Sequence, residues 1–431
     1  MINRLCRSVA HTTVRCAVTG TRHFSSSLAH REIRSIRELP DRVFATFDET
    51  KTHELLALHW PTPPRNVLIT KKERSPEITS SLTELAKHIS STYPSIGLIL
   101  ESEVAAELHE QLPFPVYTIQ DENVADYAEK VDLVATLGGD GTILHASALF
   151  ATCQNVPPVL SFSMGTLGFL GEWRFDEYKR AFREVYMSGA GVRYGSNLFD
   201  ELPANETQQA QSKQDISQDL PPEWASLRGK SMGQGRSARI LLRNRLKCQI
   251  RSADGAPTSP APTYAMNEVI IHRGLSPHLA VVDVLIGGKF LTSAVADGMI
   301  VSTPTGSTAY SLSSGGSIVH PLVSSLLLTP ICPRSLSFRP LVLPAHVPIS
   351  LRLSTHNRAK EIDVSIDGIR QNHGLQQGME VHVWGEGVRD RDGVWRGGVP
   401  SVVRGNRDGT EDHWVGGLNG LLKFNYPFGQ A

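Results

Sequence analysis

Between residues 66 and 163, short apolar, β-branched runs alternate with stretches of helical spacing, and this alternation limits the possible folds more than any other feature of the chain. The runs NVLIT (66–70), IGLILES (96–102), PVYTI (115–119), VDLVATLGG (131–139) and PPVLSFSMG (157–165) have the length and bounding residues of strands. Between them, SPEITSSLTELAKHIS (75–90), EVAAELHEQL (103–112) and TILHASALFA (142–151) place apolar residues on one helical face. Ser75 and Pro76 suit the cap and first turn of the first of these helices. Strands that alternate with helices must run parallel, because each helix carries the chain back across the sheet. An α/β domain over 62–195 is therefore expected, preceded by a helix-prone extension over 31–61 that the prolines of HWPTPP stop.

Past residue 195 the pattern changes. ELPANETQQAQSKQDISQDLPPEW (201–224) is polar and Gln-rich, so 196–236 reads as a solvated insertion. Over 237–385 strand signals dominate: SARILLRN, YAMNEVIIHRG, VPISLRLST, EIDVSIDGIR and MEVHVWGEG. Gly287-Gly288 between two such runs is a two-residue hairpin turn. A β-rich, sandwich-like second domain follows. The Gly-, Arg- and Asp-rich stretch at 386–413 reads as another insertion, and the apolar, aromatic tail 414–431 as a segment that packs back on the α/β domain.

The N-terminus departs from this composition. Its first acidic residue is Glu32, while Arg4, Arg7, Arg15, Arg22 and Arg31 lie among Ser, Thr and small apolar residues. Residues 1–30 therefore have the make-up of a mitochondrial transit peptide, which places the protein in the mitochondrial matrix. Secretion would need an unbroken apolar core that MINRLCRSVAHTTVRCAVTG lacks. No apolar run spans a bilayer, the zero formal net charge gives no support for nucleic-acid binding, and the five scattered cysteines match neither a zinc site nor a disulfide framework.

Two segments carry chemistry. LGGDGT (137–142) joins a strand to a helix, where a parallel sheet binds its ligands. Gly138, Gly139 and Gly141 permit close backbone approach and positive φ, and the helix start offers free N–H groups to phosphate. No Gly-Lys-Ser/Thr follows, so this is not a Walker A loop. Asp140 is the odd residue, since a carboxylate repels the anion that such a turn would cradle. It is a turn residue, a Mg²⁺ ligand or the acceptor of a proton from an attacking hydroxyl. GQGRSA (233–238) fits a dinucleotide fingerprint by letter, but it precedes a strand rather than following one. The second segment is DGMIVSTPTGSTAYSLSSGGSIVHP (297–321). Its hydroxyls interleave with Ile300, Val301, Tyr310, Leu312 and Ile318, so it must be packed, and its small donors suit a ribose or phosphate.

Together, GGDGT, NEVIIHRG, TPTGSTAYSLSSGG and TPICPRSLSFRPLVLPA resemble the NAD kinase family, in particular its fungal mitochondrial NADH kinase branch. The resemblance covers 62–198, 237–385 and the aromatic tail. GGDGT alone is shared with diacylglycerol and sphingosine kinases, and phosphofructokinases have a related form; its pairing with TPTGSTAYSLS is far more specific. The resemblance implies a phosphofructokinase- and diacylglycerol-kinase-like α/β domain beside the β-rich one. It implies transfer of phosphate from ATP, with Mg²⁺, to the 2′-hydroxyl of the adenosine ribose of NAD or NADH. By the same resemblance Asp140 is the catalytic base, while Gly138, Gly139, Gly141 and Thr142 hold phosphates. His145, Phe169, Asn267, Glu268, His278, Asp297, Thr308, Ala309, Tyr310, Ser311, Leu312 and Ser313 contact the dinucleotide. His320 is expected to be structural. The partners implied are these small molecules and further copies of the chain, as a homodimer or homotetramer. Val295 and Ala296 stand where many relatives carry a polar or charged residue before the aspartate, which suggests a pocket relaxed toward NADH. A lipid kinase that shares GGDGT, and an inactive NADP-binding sensor, are the alternatives.

Overall fold

A computed structural model describes residues 32–50, 55–72, 75–119, 124–165, 168–171, 173–190, 221–227, 237–389, 393–404, 414, 418, 421 and 422. The expected transit peptide, GQGRSA before Ser237, most of the 196–236 insertion and most of the C-terminal tail lie outside the described residues.

The expected alternation is present. Asn66–Lys71, Gly97–Leu100, Val116–Thr118, Leu133–Gly138 and Val159–Ser163 are strands, and helices Pro76–Thr92, Ser102–Leu108, Ala125–Lys130 and Asp140–Ala148 connect them. Helix Pro76–Thr92 starts with Pro76 in its first turn, but its cap residue Ser75 makes no side-chain cap bond. Its inward stripe, Ile78, Leu82, Leu85, Ala86 and Ile89, is buried against the sheet. Strands Val116–Thr118, Gly97–Leu100, Asn66–Lys71, Leu133–Gly138 and Val159–Ser163 pair in that spatial order, all parallel. The chain order reverses between Asn66–Lys71 and Leu133–Gly138, which opens a crevice at the carboxyl ends of these two strands.

Two segments depart from the expectation. The 31–61 extension forms strands rather than a helix. Ile33–Ser35 extends one end of the sheet, while Thr46–Glu49 and Leu56–His59 form a hairpin at the other. Leu56 and Leu58 alternate with half-buried Ala57 and His59, a period of two. The presumed insertion at 386–413 contains Val399–Val403, a fully buried strand seated between Val159–Ser163 and Arg239–Arg243. Arg239–Arg243 thus belongs to the α/β sheet as well, although it falls within the stretch assigned to the second domain. The end of the polar insertion is also packed: Trp224 on helix Pro222–Leu227 is buried and donates to the Tyr186 carbonyl at 3.0 Å.

The second domain is a sandwich. One sheet holds Thr263–Ala265, Leu246–Arg251, Glu380–Gly385, Ile349–Leu353, Ala280–Ile286 and Lys289–Ala296 in that order. The other runs Leu341–Pro344, Ser325–Ile331, Gly298–Ser302, Glu268–His272, Glu361–Ile366 and Ile369–Arg370. All pairings are antiparallel, and inward residues of both sheets form one core that includes Val282, Leu351, Val269 and Val364. Gly287 and Gly288 take φ of +57° and +76°, the left-handed pair that the tight hairpin demands. From the tail, the Trp414 ring meets His320 edge-on with centroids 4.7 Å apart, so this contact is with the second domain rather than the first.

Arg245 and Glu386 mark the two points where the chain passes from one domain to the other. Their side chains are 1% and 0% exposed. The guanidinium donates to both carboxylate oxygens at 2.9 and 2.8 Å, and to the carbonyls of Phe150, Cys153 and Gln154 at 3.3, 2.9 and 2.9 Å. It also lies 4.2 Å over the Tyr264 ring. Glu386 accepts a further bond from the Gly398 N–H at 2.8 Å. Arg245→Met would leave a buried carboxylate unpaired, at a cost of about 3–5 kcal/mol. Denaturant unfolding should show that loss, and the double variant Arg245→Met/Glu386→Leu should lose less than the single one. An unchanged midpoint for Arg245→Met would remove the pair from the list of structural determinants.

Candidate active site

Strand Leu133–Gly138 delivers the GGDGT turn to the crevice, and helix Asp140–Ala148 leaves it. The glycines are needed for space rather than for positive φ, which neither Gly138, Gly139 nor Gly141 adopts. A Cβ on Gly138 would strike the Thr142 hydroxyl. Positions 139 and 141 face open space, with nothing within 4 Å of a Cβ, so a ligand can approach the backbone there.

Asp140 is held by the loop of Phe169, which the family resemblance marks for its aromatic ring. Its Oδ2 accepts the Phe169 N–H at 3.0 Å and its Oδ1 accepts the Leu170 N–H at 3.1 Å. A carboxylate has about four acceptor sites, so each oxygen keeps capacity for a hydroxyl. Gly168 is obligatory beside it, because a Cβ there would lie 2.6 Å from the Asp140 Cγ. The loop is fixed in turn by Arg243, which donates to the Phe169 carbonyl at 3.3 Å and to the Ser401 hydroxyl at 3.1 Å. Phe169 thus acts here through its backbone.

The stretch leading to Asn267 meets this turn through the core. Met266, buried next to Asn267, packs in one cluster with Ile143, Ala146 and Phe150. The Tyr264 N–H donates to the Ala151 carbonyl at 2.7 Å. Asn267 and Glu268 then enter a cradle of backbone bonds. Asp367, at φ +46° in an Asp-Gly hairpin, accepts the N–H groups of Met266, Asn267 and Glu268 at 2.7, 2.7 and 3.1 Å. Thr303 donates its hydroxyl to the Met266 carbonyl at 2.6 Å and its N–H to the Asn267 carbonyl at 2.8 Å. Gly306 is required because a Cβ would strike that same Asn267 carbonyl.

Among the described residues, three buried polar atoms at this spot find no partner: Asn267 Oδ1, Glu268 Oε2 and Ser302 Oγ. Glu268 and Ser302 face each other across paired strands. Buried polar groups are normally bonded, so a set of open ones marks a place where a polar ligand binds. Burial first, and the nearby Asp367 second, push the Glu268 carboxyl up to about 7.

The TPTGSTAY segment forms a short 3-10 turn, Thr305–Thr308, and a helical turn, Tyr310–Ser313, beside Asn267. Ser311 is buried and bonded to the Thr329 hydroxyl at 2.8 Å, so it shapes the segment. Thr308 donates to the Thr305 carbonyl at 3.2 Å. Tyr310 and Ser313 are exposed, and Ala309 and Leu312 half-buried. His145, one turn into its helix, lies 2.7 Å from the Glu101 carboxylate. Asp297 lies further along its strand. Asp297 precedes Gly298, which pairs with His272, whereas Ser302 pairs with Glu268. Asp297 is therefore about 16 Å along the strand from the cradle, where it pairs with Arg273 at 2.5 Å. His278 is exposed, 3.5 Å from Arg358. Ala296 is buried, paired with Ala280 across the hairpin, so an arginine there would disturb the strands themselves.

The crevice is a cleft of about 1150 Å³. Its lining includes Gly139, Gly141, Thr142 and His145, the Glu101–Glu103 stretch, and Lys71 and Lys72, which the sequence reading passed over. Their place at the end of the strand beside GGDGT was the available signal.

Two outcomes follow. Gly168→Ala should displace the Asp140 carboxylate and lower kcat by at least about tenfold with a minor change in melting temperature; undiminished kcat would detach the loop from the site. A carboxyl raised from 4.5 to about 7 binds more protons folded than unfolded between those values. Its contribution to stability is thus greatest at low pH and falls as pH rises through that window. Glu268→Gln should gain on the order of 2–3 kcal/mol relative to wild type between pH 4 and pH 8, read by thermal melts. A pH-independent difference would contradict the assignment.

Both parts of the chain match known proteins. Residues 21–190 match the ATP-NAD kinase N-terminal domain and residues 266–387 the ATP-NAD kinase C-terminal domain. The mitochondrial NADH kinase of Schizosaccharomyces pombe is 37% identical over 94% of this chain and 88% of its own length. That of Saccharomyces cerevisiae is 35% identical over 92% and 89%. A crystal structure of yeast NADH kinase complexed with NADH superposes with a TM-score of 0.72 at 35% identity, over 93% of this chain and 98% of that one.

Proposed function

The chain belongs to the ATP-NAD kinase family, and from that premise we propose how its residues carry out the transfer. It is a mitochondrial kinase that uses ATP to phosphorylate the 2′-hydroxyl of the adenosine ribose of NAD(H). The observation that carries the residue assignment is the pairing of a fixed carboxylate, Asp140, with a cradle of open polar atoms at Asn267, Glu268 and Ser302.

In this reading the cradle and the Thr308–Ser313 segment hold the dinucleotide so that its 2′-hydroxyl faces Asp140. Tyr310 and Ser313 supply exposed contacts, and Ser311 keeps the segment in shape. Asp140 accepts the hydroxyl proton as the ribose oxygen bonds to the γ-phosphorus. The bond from that phosphorus to the bridging oxygen breaks, and its electron pair leaves with ADP. The N–H groups of Phe169 and Leu170 fix the carboxylate before the reaction, which is what phosphoryl transfer requires of a protein. Gly138 gives the turn its shape, while Gly139, Gly141 and Thr142 border the space left for phosphates. ATP enters as its Mg²⁺ complex, and the metal is part of the substrate.

The segment 1–30 is read as the transit peptide. Asp297 and His278 are kept as contacts for the far end of the dinucleotide, Asp297 lying about 16 Å along its strand from the cradle. The chain is read as a homodimer or homotetramer. NADH is taken as the favoured acceptor on the likeness to NADH kinases.

Purified protein with MgATP should phosphorylate NADH with a higher kcat/KM than NAD. Asp140→Asn should lower kcat by about a hundredfold or more and leave NADH binding, followed by its fluorescence, within a few-fold of wild type. Turnover retained by Asp140→Asn would falsify its role as base.

A further inference from the structure

Three basic residues line the cleft beside GGDGT: Lys71, Lys72 and His145. Two of them are engaged. Lys71 is buried, with its ammonium 3.4 Å from Glu107, and His145 shares a 2.7 Å bond with Glu101. Lys72 is exposed, and among the described residues no group pairs with its ammonium. Its backbone is fixed at the turn, because its N–H donates to the Leu137 carbonyl at 3.0 Å. Its Cβ lies 3.3 Å from where a Cβ on Gly138 would stand. The Lys72 ammonium is thus tethered at the edge of the space in front of Gly139 and Gly141.

The other charges of the cleft decide what can lie there. Glu101, Glu103 and Glu107 also line it, Glu101 bonded to His145 and Glu107 to Lys71, and Asp140 sits at the turn itself. A polyphosphate would be repelled by Glu103 and Asp140 and drawn to the ammonium of Lys72. We propose that Lys72 binds the triphosphate of ATP over the glycine turn, and so sets where the γ-phosphoryl group lies relative to Asp140. The proposal rests on the reading of this cleft as the site of transfer. A lysine ammonium is a compact point charge suited to the changing geometry of a phosphate chain, and positioning with charge neutralisation is most of what this reaction asks of the protein.

The test uses the full-length enzyme with Lys72→Met and Lys72→Arg. Lys72→Met should raise KM for ATP about tenfold or more and lower kcat/KM for ATP by roughly a hundredfold, which is on the order of 3 kcal/mol. KM for NADH, NADH fluorescence binding and melting temperature should stay near wild type, and Lys72→Arg should recover much of the loss. Inorganic tripolyphosphate should compete with ATP in the wild type and fail to do so in Lys72→Met. A kcat/KM for ATP within twofold of wild type, or a loss that falls equally on KM for NADH, overturns the proposal. Failure of the underlying reading would look different, since the wild type itself would then transfer no phosphate to NADH or NAD.

Discussion

The bidentate pair between Arg245 and Glu386 sits where the two domains meet, close to the end of the helix that starts at Asp140. One partner ends the connection out of the α/β sheet into the sandwich, and the other begins the return. The same guanidinium takes the carbonyls of Phe150, Cys153 and Gln154, just beyond the helix that starts at Asp140. A charge so deeply buried is tolerated only because every direction around it is occupied: a carboxylate, three carbonyls and an aromatic face. Its consequence for the site is rigidity. The turn that follows the Asp140 helix and the strand Thr263–Ala265, three residues before Glu268, meet at this one point, so the approach of the two chain segments is set by the fold.

The cradle itself is a place where stability is given up. Asp367 gathers three N–H groups and brings its charge next to Glu268, whose carboxyl is already disfavoured as an ion by burial. Ser302 and Asn267 add open polar atoms to the same pocket. A sequence selected only for stability would fill such a site with apolar residues or close it with internal bonds. That the fold instead spends strong backbone bonds from Thr303 and Asp367 to hold these groups open indicates a site built for a polar guest.

Much of this was legible in the sequence, and the limits have physical causes. The strands from Asn66 to Ser163 announced themselves because each is a short apolar run bounded by turn residues, a purely local signal. Asp140 stood out because a carboxylate between glycines contradicts the function of such a turn. Gly168 could not be found this way, since its importance arises from a carboxylate 28 positions earlier in the chain. Asp367 and Lys72 were missed for the same reason, as their roles depend on neighbours in space. Val399–Val403 was hidden by its Gly- and Arg-rich flanks, whose composition spoke for an exposed loop. Asp297 matched the family pattern by letter, and its strand places it about 16 Å from the cradle at Glu268, a separation that the letters could not show.

The place of Val399–Val403 bears on how the molecule comes to be. This strand lies inside the first sheet, between Val159–Ser163 and Arg239–Arg243, yet it is drawn from the far end of the chain. A chain that emerges N-terminus first can form the helices and strands up to Ser163 early, but it must leave one sheet edge bare until the whole sandwich has passed. Closing that gap joins residues separated by some 240 positions, a loop of high contact order, and such closures are slow. During the wait an apolar parallel edge is open to any other strand. The step most exposed to error in the life of this enzyme is thus the last strand to arrive, and a chaperone that shields that edge would act on the α/β domain while the sandwich is still being made.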